Sequence, residues 1–145
     1  MSRTARYEIK VQWSDCDAAQ HLYYPNYFRL FDSATHNLME QAGFPLLDIF
    51  RNYEVMGMPI VDAQASYRAP CVWGDQLEVE SRVSEWRNKS FVVSHTIWKG
   101  DTVMAEGREI RICAYHHPDD PERMVAGLMP PEIKASLEED GGAAS

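Results

Sequence analysis

Hydrophobic and polar positions along this chain alternate, then recur at steps of three and four, then alternate again. Tyr7, Ile9, Val11 and Trp13 alternate with Glu8, Lys10 and Gln12, which predicts a half-buried β-strand. Tyr27, Phe28, Leu30, Phe31, Ala34, Leu38, Met39 and Ala42 then share one helical face, so a helix is predicted over 25–42. Pro25 suits the first helical position and Gly43 supplies a stop. Its other face carries Arg29, Asp32, Ser33, His36 and Glu40; His36 and Glu40 read as solvated, while Asp32 is placed to face a ligand held by a neighbouring subunit. Residues 44–57 lack a clean period and predict a short helix followed by a loop.

From Pro59 the period returns to two, with Ile60, Asp62, Gln64 and Ser66 set against Val61, Ala63, Ala65 and Tyr67 until Ala69 and Pro70 break it. Three more strands are predicted over 76–86, 90–99 and 102–114, with Gly107 marking a bulge in the last. His116 to Asp120 then reads as a solvated loop, and Pro130 and Pro131 open a short helix to Leu137 before a frayed end. This order predicts an α+β fold: one long central helix against a five-stranded antiparallel sheet, in a single domain spanning 1–145. Its core runs over about 6–114, and 115–145 is assigned to loop, short helix and tail. Edge strands need cover, which a second copy can supply, so a homo-oligomer is expected.

Composition narrows the function. A net charge of −8 over 145 residues argues against nucleic acid as a partner. Neither a signal-peptide pattern nor an apolar run of membrane-spanning length is present, so no membrane association and a cytoplasmic location are expected. Cys16, Cys71 and Cys113 have no metal-ligand spacing and read as small buried or half-buried residues. His95 shares parity with Phe91, Val93 and Ile97, which predicts a hydrogen-bonded histidine in the core or at a pocket edge. No metal is expected, His116 and His117 included.

The candidate chemistry lies in DCDAAQHLYYPNY, from Asp15 to Tyr27. The helix that follows directs its free N–H groups and positive dipole end toward Asp17, which suits an oxyanion. A carboxylate there can attack a polarised carbonyl, or take a proton from the water that attacks it. No strong acid is nearby, so the leaving group must be a good one, and a thioester provides it. On their own, Asp15 and Asp17 read as residues that bond to turn backbone, and the flanking context decides between the two readings.

Three segments in order, DCDAAQHLYYPNY, MGMPIV (56–61) and EWRNKSF (85–91), resemble the hotdog-fold 4-hydroxybenzoyl-CoA thioesterases of the aspartate-dependent class. The resemblance covers about 6–114. It implies a sheet wrapped around one long helix, and homodimers with active sites at their interface that assemble into homotetramers. It implies that Asp17 is the catalytic nucleophile or general base, and that the Tyr24 backbone N–H polarises the thioester carbonyl. His21, Asp32, Met58, Pro59 and Ile60 fall at substrate-binding positions, and Arg87, Asn88, Lys89 and Ser90 at the turn that meets coenzyme A. The implied reaction is hydrolysis of an acyl-CoA, an aryl-CoA such as 4-hydroxybenzoyl-CoA or a related benzoyl-CoA. No cofactor is implied, because coenzyme A is part of the substrate. Departures are Gln20 at a position where glycine is common, Asn88 in place of another cation, and Met58 in place of a small hydroxyl residue. The alternatives are an aliphatic acyl-CoA or acyl-carrier-protein thioesterase, and a non-enzymatic acyl-CoA sensor.

Overall fold

The computed structural model describes residues 2–139. Strand β1 (Ala5–Lys10) leads through a 3-10 turn at Trp13–Asp15 to helix α1 (Pro25–Gln41). There follow α2 (Leu46–Asn52), β2 (Val55–Gly57), β3 (Ile60–Tyr67), β4 (Gln76–Trp86), β5 (Ser90–Lys99), β6 (Thr102–His117), β7 (Asp120–Gly127) and α3 (Pro131–Glu138). The sheet is antiparallel in the order β1-β4-β5-β6-β2, and β3 and β7 also pair with β6. Long strand β6 therefore carries four partners. Its first part lies between β5 and β3, and its far end passes to β2 and β7.

The helix and the long strands stand where periodicity puts them, but the sheet has seven strands rather than five. The two extra ones, β2 and β7, are a three-residue segment and a largely exposed ribbon, so neither imposes a period of two on its residues. Accordingly 44–57 ends in a strand, and β6 continues through His116 and His117, which are paired with β7 rather than looped. The domain core also extends beyond 114. Ile133 and Leu137 of α3 are fully buried, Ser136 Oγ donates to the Ala42 carbonyl (2.6 Å), and the Arg3 N–H donates to the Leu137 carbonyl (2.8 Å). Most of the expected frayed end, 140–145, lies outside the described residues.

β1 stops before Trp13, because the Gln12 N–H donates to the Asp15 carboxylate (2.8 Å) and the chain turns there. Nor does Gly107 mark a bulge: it stays in register with His95 and Ala65. A Cβ at that position would lie 2.2 Å from the Phe31 ring, so the glycine admits the close approach of α1 to the sheet.

α1 buries Tyr27, Leu30, Phe31, Ala34, Thr35, Leu38 and Met39 against the sheet. Its first turns join Val11, Leu77, Val79, Ile97 and Ala105 in one apolar cluster. Its last turns join Ile49, Val83, Phe91, Val93 and Ile133 in another. Between the two lies a layer of buried polar groups, Thr35, Ser81, His95, Glu109 and Arg111. Cys71 and Cys113 are buried and Cys16 is half-buried. No helix among the described residues is long and apolar enough to cross a membrane.

Candidate active site

The loop before α1 is closed by its own backbone. The Asp17 N–H donates to the His21 carbonyl (2.8 Å) and the Gln20 N–H to the Asp17 carbonyl (2.9 Å). Within this ring Asp17 Oδ1 accepts from the N–H groups of Ala19 (2.9 Å) and His21 (3.2 Å). Asp17 Oδ2 has no partner among the described residues, and the side chain is exposed. One carboxylate oxygen is thus fixed by two donors while the other is left without a donor among the described residues. Gln20 closes the ring with φ at +66°, a left-handed conformation that costs a non-glycine residue about 1 kcal/mol.

The loop is braced on both sides. Asp15 accepts from Arg29 (2.6 Å) as well as from Gln12, and its carbonyl accepts from the Tyr23 N–H (2.9 Å) and Asn26 Nδ2 (2.8 Å). His21 forms a bridge with Val72, and the Leu22 N–H donates to the Cys71 carbonyl (2.7 Å). Tyr24 follows as the residue before helical Pro25, already with helical φ and ψ. Among the described residues its N–H has no acceptor, as expected for the open end of a helix. Exposed Tyr23, Tyr24, Trp13 and Trp73 surround this end. The Trp13 and Trp73 rings meet edge to face with centroids 5.0 Å apart.

Asp32 lies two turns further along α1 and belongs to a different group. Its carboxylate accepts from Arg111 (2.7 Å), while Arg111 also donates to the Met58 carbonyl (2.9 Å) and to Glu109 (2.8 Å). The Met58 side chain is buried in the core cluster, Pro59 is half-buried, and Ile60 is exposed at the start of β3. Glu109 accepts in addition from the Thr35 hydroxyl (2.5 Å) and from His95 Nε2 (3.1 Å). His95 Nδ1 lies 2.7 Å from the Ser81 hydroxyl, and the imidazole stacks on Phe31 with ring centroids 4.9 Å apart. Burial alone pushes the Glu109 carboxyl up, but the hydrogen bonds from His95 and Arg111 outweigh it and hold the pKa at about 2. His95 is therefore the hydrogen-bonded core residue that strand parity indicates.

No motif marks Glu109 and Arg111, although strand parity does. Both occupy inward positions of β6, in step with buried Ala105 and Cys113. Charges at inward parity must be paired, and here they pair with each other and with α1.

The Arg87 to Ser90 turn lies elsewhere again. It follows the end of β4, whereas the strands and bridges around Asp17 adjoin the segment that precedes β4. Eleven residues of extended chain separate the two places, roughly 35 Å of strand. The turn lines a cleft of about 260 Å³ together with Trp86, Met129 and Lys134. One protomer therefore holds the sequence-predicted residues in three groups: Asp17, His21 and Tyr24; Asp32 with Met58, Pro59 and Ile60; and Arg87, Asn88, Lys89 and Ser90.

Comparison with known proteins agrees with this architecture. Residues 11–137 match the model of the Thioesterase-like superfamily. The chain is 32% identical over 136 residues to 4-hydroxybenzoyl-CoA thioesterase of Pseudomonas sp. strain CBS-3, covering 90% of this chain and 94% of that one. It superposes on the structure of that enzyme with a TM-score of 0.83 at 30% identity, covering 93% and 99% of the two chains. An aspartate-to-asparagine variant of 4-hydroxybenzoyl-CoA thioesterase, complexed with 4-hydroxybenzoyl-CoA, superposes with a TM-score of 0.85 at 28% identity over 94% and 99%. A gentisyl-coenzyme A thioesterase gives 0.78 at 28% over 92% and 99%. By fold, by sequence and by the span of the match, this chain belongs to the Thioesterase-like superfamily and is a hotdog-fold thioester hydrolase of the 4-hydroxybenzoyl-CoA thioesterase family.

Proposed function

We propose that the protein hydrolyses an aryl-CoA thioester, of the 4-hydroxybenzoyl or a related benzoyl class, with Asp17 as the reacting carboxylate. The observation that carries this reading is that Asp17 Oδ2 and the Tyr24 N–H, both in the loop that opens α1, lack a partner among the described residues. A thioester carbonyl oxygen placed on that N–H becomes more electrophilic at carbon, and the helix dipole favours the oxyanion that forms. Asp17 Oδ2 then bonds to the carbonyl carbon, expelling coenzyme A as thiolate and leaving a mixed anhydride that water opens. Alternatively it takes a proton from water as that water attacks, and the same thiolate leaves. The exposed aromatic residues around the loop favour a flat acyl group over a flexible chain.

Because the Arg87 to Ser90 turn lies at the far end of β4, the turn that meets the coenzyme of one Asp17 site belongs to a second copy. Antiparallel pairing of two β3 edges brings the far end of one protomer beside the near end of the other, so the working unit is a homodimer, two of which form a homotetramer. Asp32, half-exposed beside that edge, then faces the acyl group bound by the partner. His21 and the segment Met58 to Ile60 bound the same pocket.

Thiol release from a panel of aryl- and alkyl-CoA thioesters, with wild type and Asp17→Asn side by side, tests the reading. Wild type is expected to cleave aryl-CoA best, and Asp17→Asn to fold normally, bind coenzyme A and turn over roughly 10³-fold more slowly. A near-normal rate in Asp17→Asn would overturn the role of Asp17. A preference for alkyl-CoA would overturn the aryl substrate class.

A further inference from the structure

The cleft beside the β4–β5 turn has a second wall, formed by the C-terminal helix. α3 closes it and places Lys134 opposite Arg87, Asn88 and Lys89. Lys134 is half-buried, and its Nζ stands 5.3 Å from the centroid of the Trp86 ring. Phe91 packs on the same indole with centroids 5.6 Å apart, so the platform that holds the ammonium is itself anchored in the core. Arg87 is ion-paired with Glu85. Among the described residues neither Lys89 nor Lys134 has a carboxylate partner. Two lysines without a carboxylate partner among the described residues therefore line one concave site, in a protein whose net charge is −8. Like charges brought together without carboxylates raise each other's energy, and an anion relieves that repulsion. A phosphate group suits this lining, because Lys89, Lys134 and Ser90, all with donor-bearing side chains, border the same space.

We infer that Lys134 is a phosphate-binding residue for the nucleotide half of the coenzyme, held in place by Trp86 and acting with Lys89 across the cleft. The inference rests on the proposal that a CoA thioester is the substrate, and it adds a residue from outside the segments that carry the family resemblance. The cation–π contact orients the ammonium without neutralising it, so the charge stays available for phosphate. Lys134 touches no reacting atom and bears on binding alone.

The test compares wild type with Lys134→Met, which keeps the apolar stem on Trp86, and Lys134→Arg, which keeps the charge. Titration calorimetry with adenosine 3′,5′-bisphosphate reads binding without any turnover. Lys134→Met is expected to weaken it about tenfold and to flatten its salt dependence, and Lys134→Arg to restore it to within about threefold. In steady state, Lys134→Met should raise KM for a CoA thioester by a similar factor, but not for the matching acyl-pantetheine, which lacks the nucleotide phosphates. Unchanged bisphosphate affinity in Lys134→Met, or an equal rise in KM for both thioesters, overturns the assignment. If wild type cleaves no thioester, the hydrolase reading fails, and the bisphosphate titration still decides the role of Lys134.

Discussion

Single residues set how closely the parts of this molecule approach each other. Gly107 lies opposite the Phe31 ring, and a methyl group there would sit 2.2 Å from one ring carbon and 2.4 Å from another. Phe31 cannot yield easily, because it is fully buried, with His95 stacked on its ring and Phe28 packed edge to face. Gly107→Ala is therefore expected to cost about 1 to 3 kcal/mol through overpacking, which a thermal melt would register as a fall of several degrees. A melt unchanged from wild type would show that the helix retreats freely. Gln20 illustrates the opposite case. Its left-handed φ of +66° keeps the Asp17 ring closed although the residue is not glycine, so local strain is accepted to aim a carboxylate.

At the scale of elements, the polar layer between the two apolar clusters joins α1 to β4, β5 and β6. Thr35 comes from the helix, Ser81 from β4, His95 from β5, and Glu109 and Arg111 from β6, so the layer sets the position of the helix along the sheet. Such a network is costly to leave half-made, because each remaining group keeps its desolvation cost. The Glu109 carboxyl lies at about 2 in the folded chain against an ordinary 4.5, so its folded pKa is depressed. Its contribution to stability is then present at neutral pH and lost as the pH falls from 4.5 through about 2. Glu109→Gln should cost about 3 kcal/mol at pH 7, with the gap from wild type narrowing as the pH approaches 2. Urea unfolding at pH 7 and pH 3 measures both. A gap that is constant with pH would mean that Glu109 is not the titrating group.

For the whole molecule the decisive feature is β3. Seven of its eight residues are exposed, including Ile60, Val61 and Tyr67, and only one of its edges is paired. An open edge with apolar residues invites pairing with another copy. Sedimentation equilibrium should therefore give a mass at or above twice the 16.6 kDa of one chain. Lysines at Val61 and Ala63 should drive the protein toward monomer and lower turnover with it, since the Asp17 loop and the Arg87 turn lie too far apart within one protomer to serve one site. A monomeric wild type with full activity would refute the two-copy site.

Period and turn chemistry by themselves determined the long helix, β3 to β5, most of β6, the Asp17 loop ahead of Pro25 and the basic turn at Arg87 to Lys89. Each of these is written in residues close together in sequence, where apolar spacing follows directly from the geometry of helix or strand. Only the tertiary structure decided the rest. β2 and β7 became strands because β6 offers them an edge, and neither carries enough one-sided burial to mark its own residues. Gly107 became a contact point rather than a bulge because Phe31, far away in sequence, needs the space. Glu109 and Arg111 could be buried because His95 of β5 and Thr35 and Asp32 of α1 arrive from two other segments to pair them. Lys134 lies in the short helix that Pro130 and Pro131 open, and it met the basic turn only when Ile133 and Leu137 docked α3 into the core. Partners of this kind are chosen by which faces meet in space, and no local pattern in the chain encodes them.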